Sequence, residues 1–245
     1  MELADVIFII IGFFSEIVGT IAGFGSSTIY LPLASYFLDF KTALVLVAIF
    51  HFFGNIGRIA FFRHGLDKNV LLLFGIPSFV LSLMGATMVN DLSQTLLKFI
   101  LGIFLIVISA IFLFRPNLSF PSNAKSLVLG GGLSGFIVGL IGTGGALRAS
   151  FLTGVKMEKE KYIATAAVIA LGTDATRIPT YISAGFLSEE YYYFIPILFG
   201  IAVAGSYVGR KIVTRIDQDK FKKIVLITVI LVSFKFIIDG ITGLI

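Results

Sequence analysis

Six ionisable side chains interrupt stretches of this chain that are otherwise nearly free of charge: Glu16, His51, Arg58, Arg148, Asp174 and Arg177. Such groups are costly to bury in apolar surroundings, so each demands a partner or a task. An arginine there can hold a planar or tetrahedral oxyanion through two parallel N–H bonds. Arg148 closes the run "GTGGALR", and Gly142, Thr143, Gly144 and Gly145 precede it. The run lacks the Lys-Ser/Thr ending of a phosphate-binding loop and lies within an apolar span, so a nucleotide site is a poor reading. His51, Asn55 and Arg58, spaced i, i+4, i+7, share one face of a helix. Arg58 either faces an anion path or snorkels to the nearby basic loop. Asp174 and Arg177, at i, i+3, either neutralise each other or contact substrate. A buried acid can carry a proton, and Glu16 and Asp174 are the acids so placed, with Asp174 preferred. His51 is a third coupling candidate or a hydrogen-bonded packing residue. Lys235 and Asp239 form an i, i+4 ion pair. One enzymatic reading exists, an intramembrane serine hydrolase in which His51 activates Ser26 or Ser27. The second half offers Gly145, Ala146 and Ala170 at those positions, and nothing in an enzyme requires duplication. With no cysteine there is no disulfide, thiol nucleophile or cysteine metal site. No metal, cofactor or catalytic residue is expected.

These residues must be positioned by membrane-spanning elements. Of 245 residues, 57% are hydrophobic and 13% charged, against roughly half and a quarter in a soluble domain. Charge-free runs such as Val70 to Asn90, Ser126 to Leu147 and Tyr191 to Gly209 approach the ~20 residues that cross a bilayer. The net charge of +5 comes from Lys and Arg at the ends of apolar runs rather than in a basic patch with interleaved aromatics, so it marks topology and not nucleic acid. The start, "MELADVIFIII", lacks the basic region of a signal peptide and reads as the first membrane element. Apolar elements are expected near 6–38, 41–62, 69–89, 93–114, 126–154, 160–184, 190–213 and 220–243. The segment 115–125, "RPNLSFPSNAK", reads as a cytoplasmic linker between a first repeat, 1–114, and a second, 126–245. A shift of 119 places Ser15 on Ser134, Gly23 on Gly142, Gly25 on Gly144, Arg58 on Arg177, Ile59 on Ile178 and Pro77 on Pro196 without a gap. In the same register Asp174 falls on Asn55.

Orientation follows from the basic loops. The segment 209–223 is the most basic and belongs inside. If the two glycine-broken elements enter and return on the same side, Arg63/Lys68, Arg115/Lys125 and Lys156/Lys159/Lys161 also fall inside. Lys41, Lys98, the acidic 188–193 loop and the C-terminus then fall outside. Each half then has an odd number of crossings, which makes the repeats inverted, as in many secondary transporters. The expected fold is thus an all-α polytopic membrane protein of two inverted repeats, each a broken re-entrant pair followed by three transmembrane helices.

Broken backbone at membrane depth is tolerated only against protein or a watery cavity. Glycines let it turn and let a ligand approach. A half-helix beginning there points free N–H groups at the cavity, a place for an anion. Gly23, Gly25, Ser26, Ser27 and Thr28 in the first half, and Gly142, Thr143, Gly144, Gly145 and Arg148 in the second, are the expected contacts. Asn55, Arg58, Asp174 and Arg177 complete the set.

The two copies, "SEIVGTIAGFGSSTIYLP" and "SGFIVGLIGTGGALRAS", resemble the TauE/SafE family of sulfite and organosulfonate exporters over essentially the whole chain. Two departures bear on the substrate: Ser26-Ser27 stand where the family usually has glycines, and the second copy has Arg148 and lacks the closing proline. The resemblance implies a secondary transporter of the cytoplasmic membrane that exports small sulfur-containing anions such as sulfite or sulfoacetate. Its partners would be that anion, the lipid bilayer and a coupling ion such as H+. A passive anion channel, with the same site residues, is the alternative.

Overall fold

The computed structural model describes residues 3–23, 25–61, 65–212 and 216–244, without the side chains of 218, 219 and 244. Arg63 and residues 213–215 of the basic segment lie outside the described residues. Ten helices carry the described chain: α1 (Leu3–Ala22), α2 (Ser27–Ala34), α3 (Phe40–Phe61), α4 (Lys68–Asp91), α5 (Gln94–Phe114), α6 (Ala124–Ile141), α7 (Gly145–Leu152), α8 (Lys159–Ser183), α9 (Phe194–Ile212) and α10 (Gln218–Leu244). Seven of them, all but α2, α7 and α8, are long and apolar enough to cross a membrane. The protein is an all-α polytopic membrane protein with two broken helices.

Both breaks use the same device. Gly23 and Gly142 stand at φ 75° and 76°, in the left-handed region. Their N–H groups close onto the carbonyls of Gly19 and Val138, at 3.1 and 2.9 Å. This is the glycine stop of a helix, placed at membrane depth. The chain then folds back on itself. In the first hairpin the Tyr30 hydroxyl of α2 donates to the Phe8 carbonyl of α1 at 3.2 Å. In the second, Phe151 of α7 covers Gly130 of α6, where a Cβ would come within 2.4 Å of the ring. The helix α6 starts at Ala124, two residues inside the expected linker, because the Asn123 side chain caps it by accepting from Ser126 N–H at 2.9 Å.

Close packing is set by small residues. Gly131, Gly135 and Gly139 of α6 press on the carbonyls of Phe74, Ser78 and Ser82 of α4, leaving about 2 Å between each carbonyl and an added Cβ. The i, i+4 spacing on both helices is the small-residue stripe that lets membrane helices approach. Exchanging α1–α5 for α6–α10 maps the main packing pairs onto one another. The pair α1–α9 corresponds to α6–α4, and α3–α9 to α8–α4, while α3–α8, α5–α10 and α2–α7 are self-paired.

The two ends of the bundle differ. At one end Lys161 pairs with Asp67 at 3.2 Å, and the Phe120 N–H of the linker bonds the Ser150 carbonyl at 3.1 Å. At the other, Lys41 reaches the Asn90 carbonyl, Thr42 the Phe186 carbonyl, and Lys235 of α10 lies over the Tyr36 ring. The expected Lys235–Asp239 pair forms, at 2.5 Å. The main core, with Phe8, Tyr30, Leu31, Leu44, Phe50 and Phe194, fills the region between the breaks and this second end.

Candidate functional site

The helix α3 brings Asn55 and Arg58 against the first break, and α7 brings Arg148 from the second. Between them lies a cavity of about 80 Å³ lined by Gly19, Thr20, Gly23, Gly25, Asn55, Arg58, Gly145 and Arg148, with Tyr162, Ile163, Ala166 and Ala167 of α8. It adjoins a vestibule of about 720 Å³ with which it shares Thr20, Gly23, Tyr162 and Ile163. The vestibule lies at the end of the linker, among Pro116–Ser119, Lys159, Arg210 and Lys222.

Arg58 does not snorkel. Its Nη2 donates to Glu16 Oε1 at 2.6 Å and its Nη1 to Asn55 Oδ1 at 3.1 Å. Glu16 is fully buried, and Ser206 Oγ donates to the same Oε1 at 2.6 Å. The helices α3 and α9 make room for this carboxylate with Gly54 and Gly205, where a Cβ would meet Glu16 atoms at 2.8 Å. Arg177 is arranged in the same way one register along: its Nε donates to Asp174 Oδ1 at 3.0 Å, again to the side chain three residues back. Its Nη1 donates to the Val138 carbonyl at 3.3 Å, beside the second break. Asn55 and Asp174 meet between the two arginines, Asn55 Nδ2 lying 3.5 Å from Asp174 Oδ2. His51 Nδ1 is 2.8 Å from that same oxygen. A carboxylate only accepts, so Nδ1 carries a proton and Nε2 is left toward Gly25, 3.3 Å from where a side chain there would begin.

Each half therefore supplies one buried Arg with one carboxylate, but from different places: Glu16 on α1 in the first, Asp174 beside its Arg in the second. Arg148 is different. It is 8% exposed, lines the cavity and has no carboxylate partner among the described residues. It sits in the first turn of α7, where the helix dipole is already positive. The cavity thus carries an excess positive charge with no carboxylate of its own among the described residues to pair it.

Of the expected contacts, Gly23, Gly25, Asn55, Arg58, Gly145 and Arg148 line the cavity. Ser26, Ser27, Thr28, Gly142, Thr143, Gly144, Asp174 and Arg177 stand behind its wall. Thr28 and Thr143 hydrogen-bond each other across the two breaks at 3.0 Å. Among the described residues Ser26 Oγ has no hydrogen-bond partner, so Ser26 forms no dyad with His51. Gly54, Gly205, Ser206 and Tyr162 were not expected. Among the described residues no cluster of His, Asp and Glu could hold a metal ion.

The family description "Sulfite exporter TauE/SafE" matches residues 8–236. A probable membrane transporter protein of Methanocaldococcus jannaschii is 27% identical over 231 residues, which cover 86% of this chain and 85% of that protein. No solved structure matches the chain significantly. Two glycine-broken helix pairs, a buried arginine cavity between the breaks and a family match over nearly the full length lead to one conclusion: the chain belongs to the TauE/SafE family of membrane transporters.

Proposed function

We propose that the protein is a secondary carrier of small sulfur-containing oxyanions, sulfite and small sulfonates, and that the cavity between the two breaks is its anion site. The observation that carries this reading is Arg148, a buried guanidinium without a counter-ion, facing a cavity at a helix N-terminus. A monoanion held there would neutralise it through paired N–H bonds, with Arg58 opposite. The cavity, at about 80 Å³, suits a few-atom ion and not a drug-sized ligand, whose sites run to roughly 300–1,000 Å³.

Two further readings rest on the same geometry. The symmetric packing pairs, with hairpins whose closed ends meet at Thr28 and Thr143, support inverted repeats that rock about the site. The vestibule end carries Lys159, Arg210 and Lys222, which supports a cytoplasmic placement by the positive-inside rule. The site then opens inward and is closed outward by the aromatic core, an arrangement that favours a carrier over a channel. Export of cytoplasmic sulfite is the direction that the family's description names.

Binding to purified protein of sulfite, sulfoacetate, sulfate, acetate and chloride tests the proposal. The sulfur oxyanions should bind more tightly than acetate or chloride, and Arg148→Ala should abolish the preference. Equal binding of all five, or unchanged binding by a folded Arg148→Ala protein, rejects it.

A further inference from the structure

The arginines at the site differ in what would have to happen for them to reach a ligand. Arg177 is fully buried away from the cavity, clamped to Asp174 through Nε with Nη2 alongside at 2.8 Å. Arg58 lines the cavity, yet one of its Nη groups is spent on Glu16. The two oxygens of Glu16 are used unequally. Oε1 accepts from Arg58 and Ser206, both at 2.6 Å, and from Thr20 at 3.4 Å. Oε2 is buried and has no hydrogen-bond partner among the described residues. The space it occupies exists because position 54 lacks a Cβ, which would lie 2.9 Å from Oε2; the glycine at 205 makes room for the Glu16 stem instead, where a Cβ would lie 2.8 Å from Glu16 Cβ. An orphaned oxygen on a fully buried carboxylate is a place for a proton.

Resting on the anion-site reading above, we infer that Glu16, rather than Asp174, is the proton-binding residue, and that anion and proton occupy the site together. An anion that engages Arg58 takes the counter-ion away from Glu16. A buried carboxylate stripped of its partner is costly, and protonation removes the cost. The proton comes from vestibule water past Thr20, which lines both cavity and vestibule. One O–H bond forms on Oε2 as one O–H bond of a hydronium ion in that water breaks, leaving neutral water; no other covalent bond changes. When the anion leaves, Arg58 returns to Oε1 and the proton is expelled. One monoanion, such as methanesulfonate, and one proton add no net charge to the site. Cotransport of a monoanion is electroneutral: outward when anion is concentrated in the cytoplasm, inward under an acid exterior.

The surroundings of Glu16 fit this role. From α3 it faces Arg58, with Asn55 and then His51 beyond; from α9, Ser206; from its own helix, Thr20. Asp174 and Arg177 of α8 lie past Asn55, and Arg210 and Lys222 lie in the vestibule wall. Asp174 has two partners, Arg177 and His51, neither of which lines the cavity.

The test is calorimetric binding of methanesulfonate and sulfate, neither of which titrates between about pH 5.5 and about pH 7.5, in two buffers of different ionisation enthalpy, which counts protons taken up per anion. Wild-type protein should take up a proton on binding, and its affinity should fall by up to about tenfold per pH unit as pH rises. Glu16→Gln should bind with no proton uptake and an affinity that changes less than about twofold over that range, whereas Glu16→Asp should keep the uptake and so report on folding. Proton uptake that persists in Glu16→Gln, or is absent from wild type that binds, overturns the inference alone. Failure of wild type to bind either anion overturns the anion-site reading and the inference together.

Discussion

Arg148 and Glu16 are the two residues on which the chemistry turns, and their neighbourhoods give separate tests. Replacing Arg148 with Ala removes a charge-assisted bond from a poorly hydrated cavity and should weaken sulfite binding by about 1.5–3 kcal/mol; Arg148→Lys, lacking the planar fork, should recover part of it. Isothermal titration of the two variants checks the order. Around Glu16 the contrast is steric. Gly54→Ala places a methyl 2.8–2.9 Å from both carboxylate oxygens, and such overpacking should cost about 1–3 kcal/mol. Gly57→Ala, one turn on, meets nothing closer than 3.6 Å and should be neutral or slightly stabilising, since Ala is the better helix former. Thermal unfolding in detergent separates the two; equal melting temperatures would mean that Glu16 is not held as described. At this scale Arg148, Arg58 and Glu16 could be picked out from the sequence, because ionisable groups stand out in apolar text. The pairing of Glu16 with Arg58 could not, since it joins residues 42 apart, and neither could Gly54, Gly205 and Ser206, whose meaning exists only once α3 and α9 pack on α1.

Among the elements, the two breaks are the parts whose chemistry is most local. Gly23 and Gly142 share a left-handed conformation, so an Ala at either should cost about 1–2 kcal/mol in backbone strain. Gly23 faces open space, whereas a Cβ at Gly142 would lie 2.4 Å from Leu44 and 2.7 Å from Leu31. Gly142→Ala should therefore lower the melting temperature clearly more than Gly23→Ala; the reverse order would contradict the packing. At the start of α4, Asp67 caps the helix by accepting from Val70 N–H at 3.1 Å. That bond, with help from Lys161, holds its carboxyl below the ordinary carboxylate range. A depressed carboxyl lends stability above its unfolded value and loses it as pH falls through the lower folded one. Asp67→Ala should thus cost about 1 kcal/mol near neutral pH and less at strongly acid pH, as acid unfolding curves would show. Seven apolar spans and both breaks were legible from periodicity, glycine and the 119-residue register; the eighth expected element, 160–184, is the helix α8, whose polar residues keep it outside the set apolar enough to cross by composition. What was not legible is which groups of a break face the cavity. Ser26 has helical dihedrals, φ −66° and ψ −29°, and its hydroxyl is buried, so the hydroxyl-rich text "SST" stands behind the site while Gly23 and Gly25 line the site itself.

As a whole molecule the protein is two interlocked halves, with α1 of the first packed on α9 of the second and α6 on α4. The 119-residue register was readable because Arg58/Arg177 and Pro77/Pro196 keep it; the packing of α1 on α9 and of α6 on α4 was not, because it depends on glycine stripes meeting residues far away in the chain. The native chain has no cysteine, so introduced ones report topology cleanly. A cysteine at Asn123 should be labelled from the cytoplasmic side and one at Ser188 from outside; labelling of both from one side would contradict the inverted arrangement. The central proposal, a carrier whose anion is held at Arg148, is tested most directly by counterflow. Proteoliposomes loaded with unlabelled sulfite are diluted into a trace of labelled sulfite and sampled over time. A carrier gives a transient accumulation of label above equilibrium in the wild type, and Arg148→Ala gives none. Label that only equilibrates in the wild type, or an overshoot of equal size in Arg148→Ala, would contradict it.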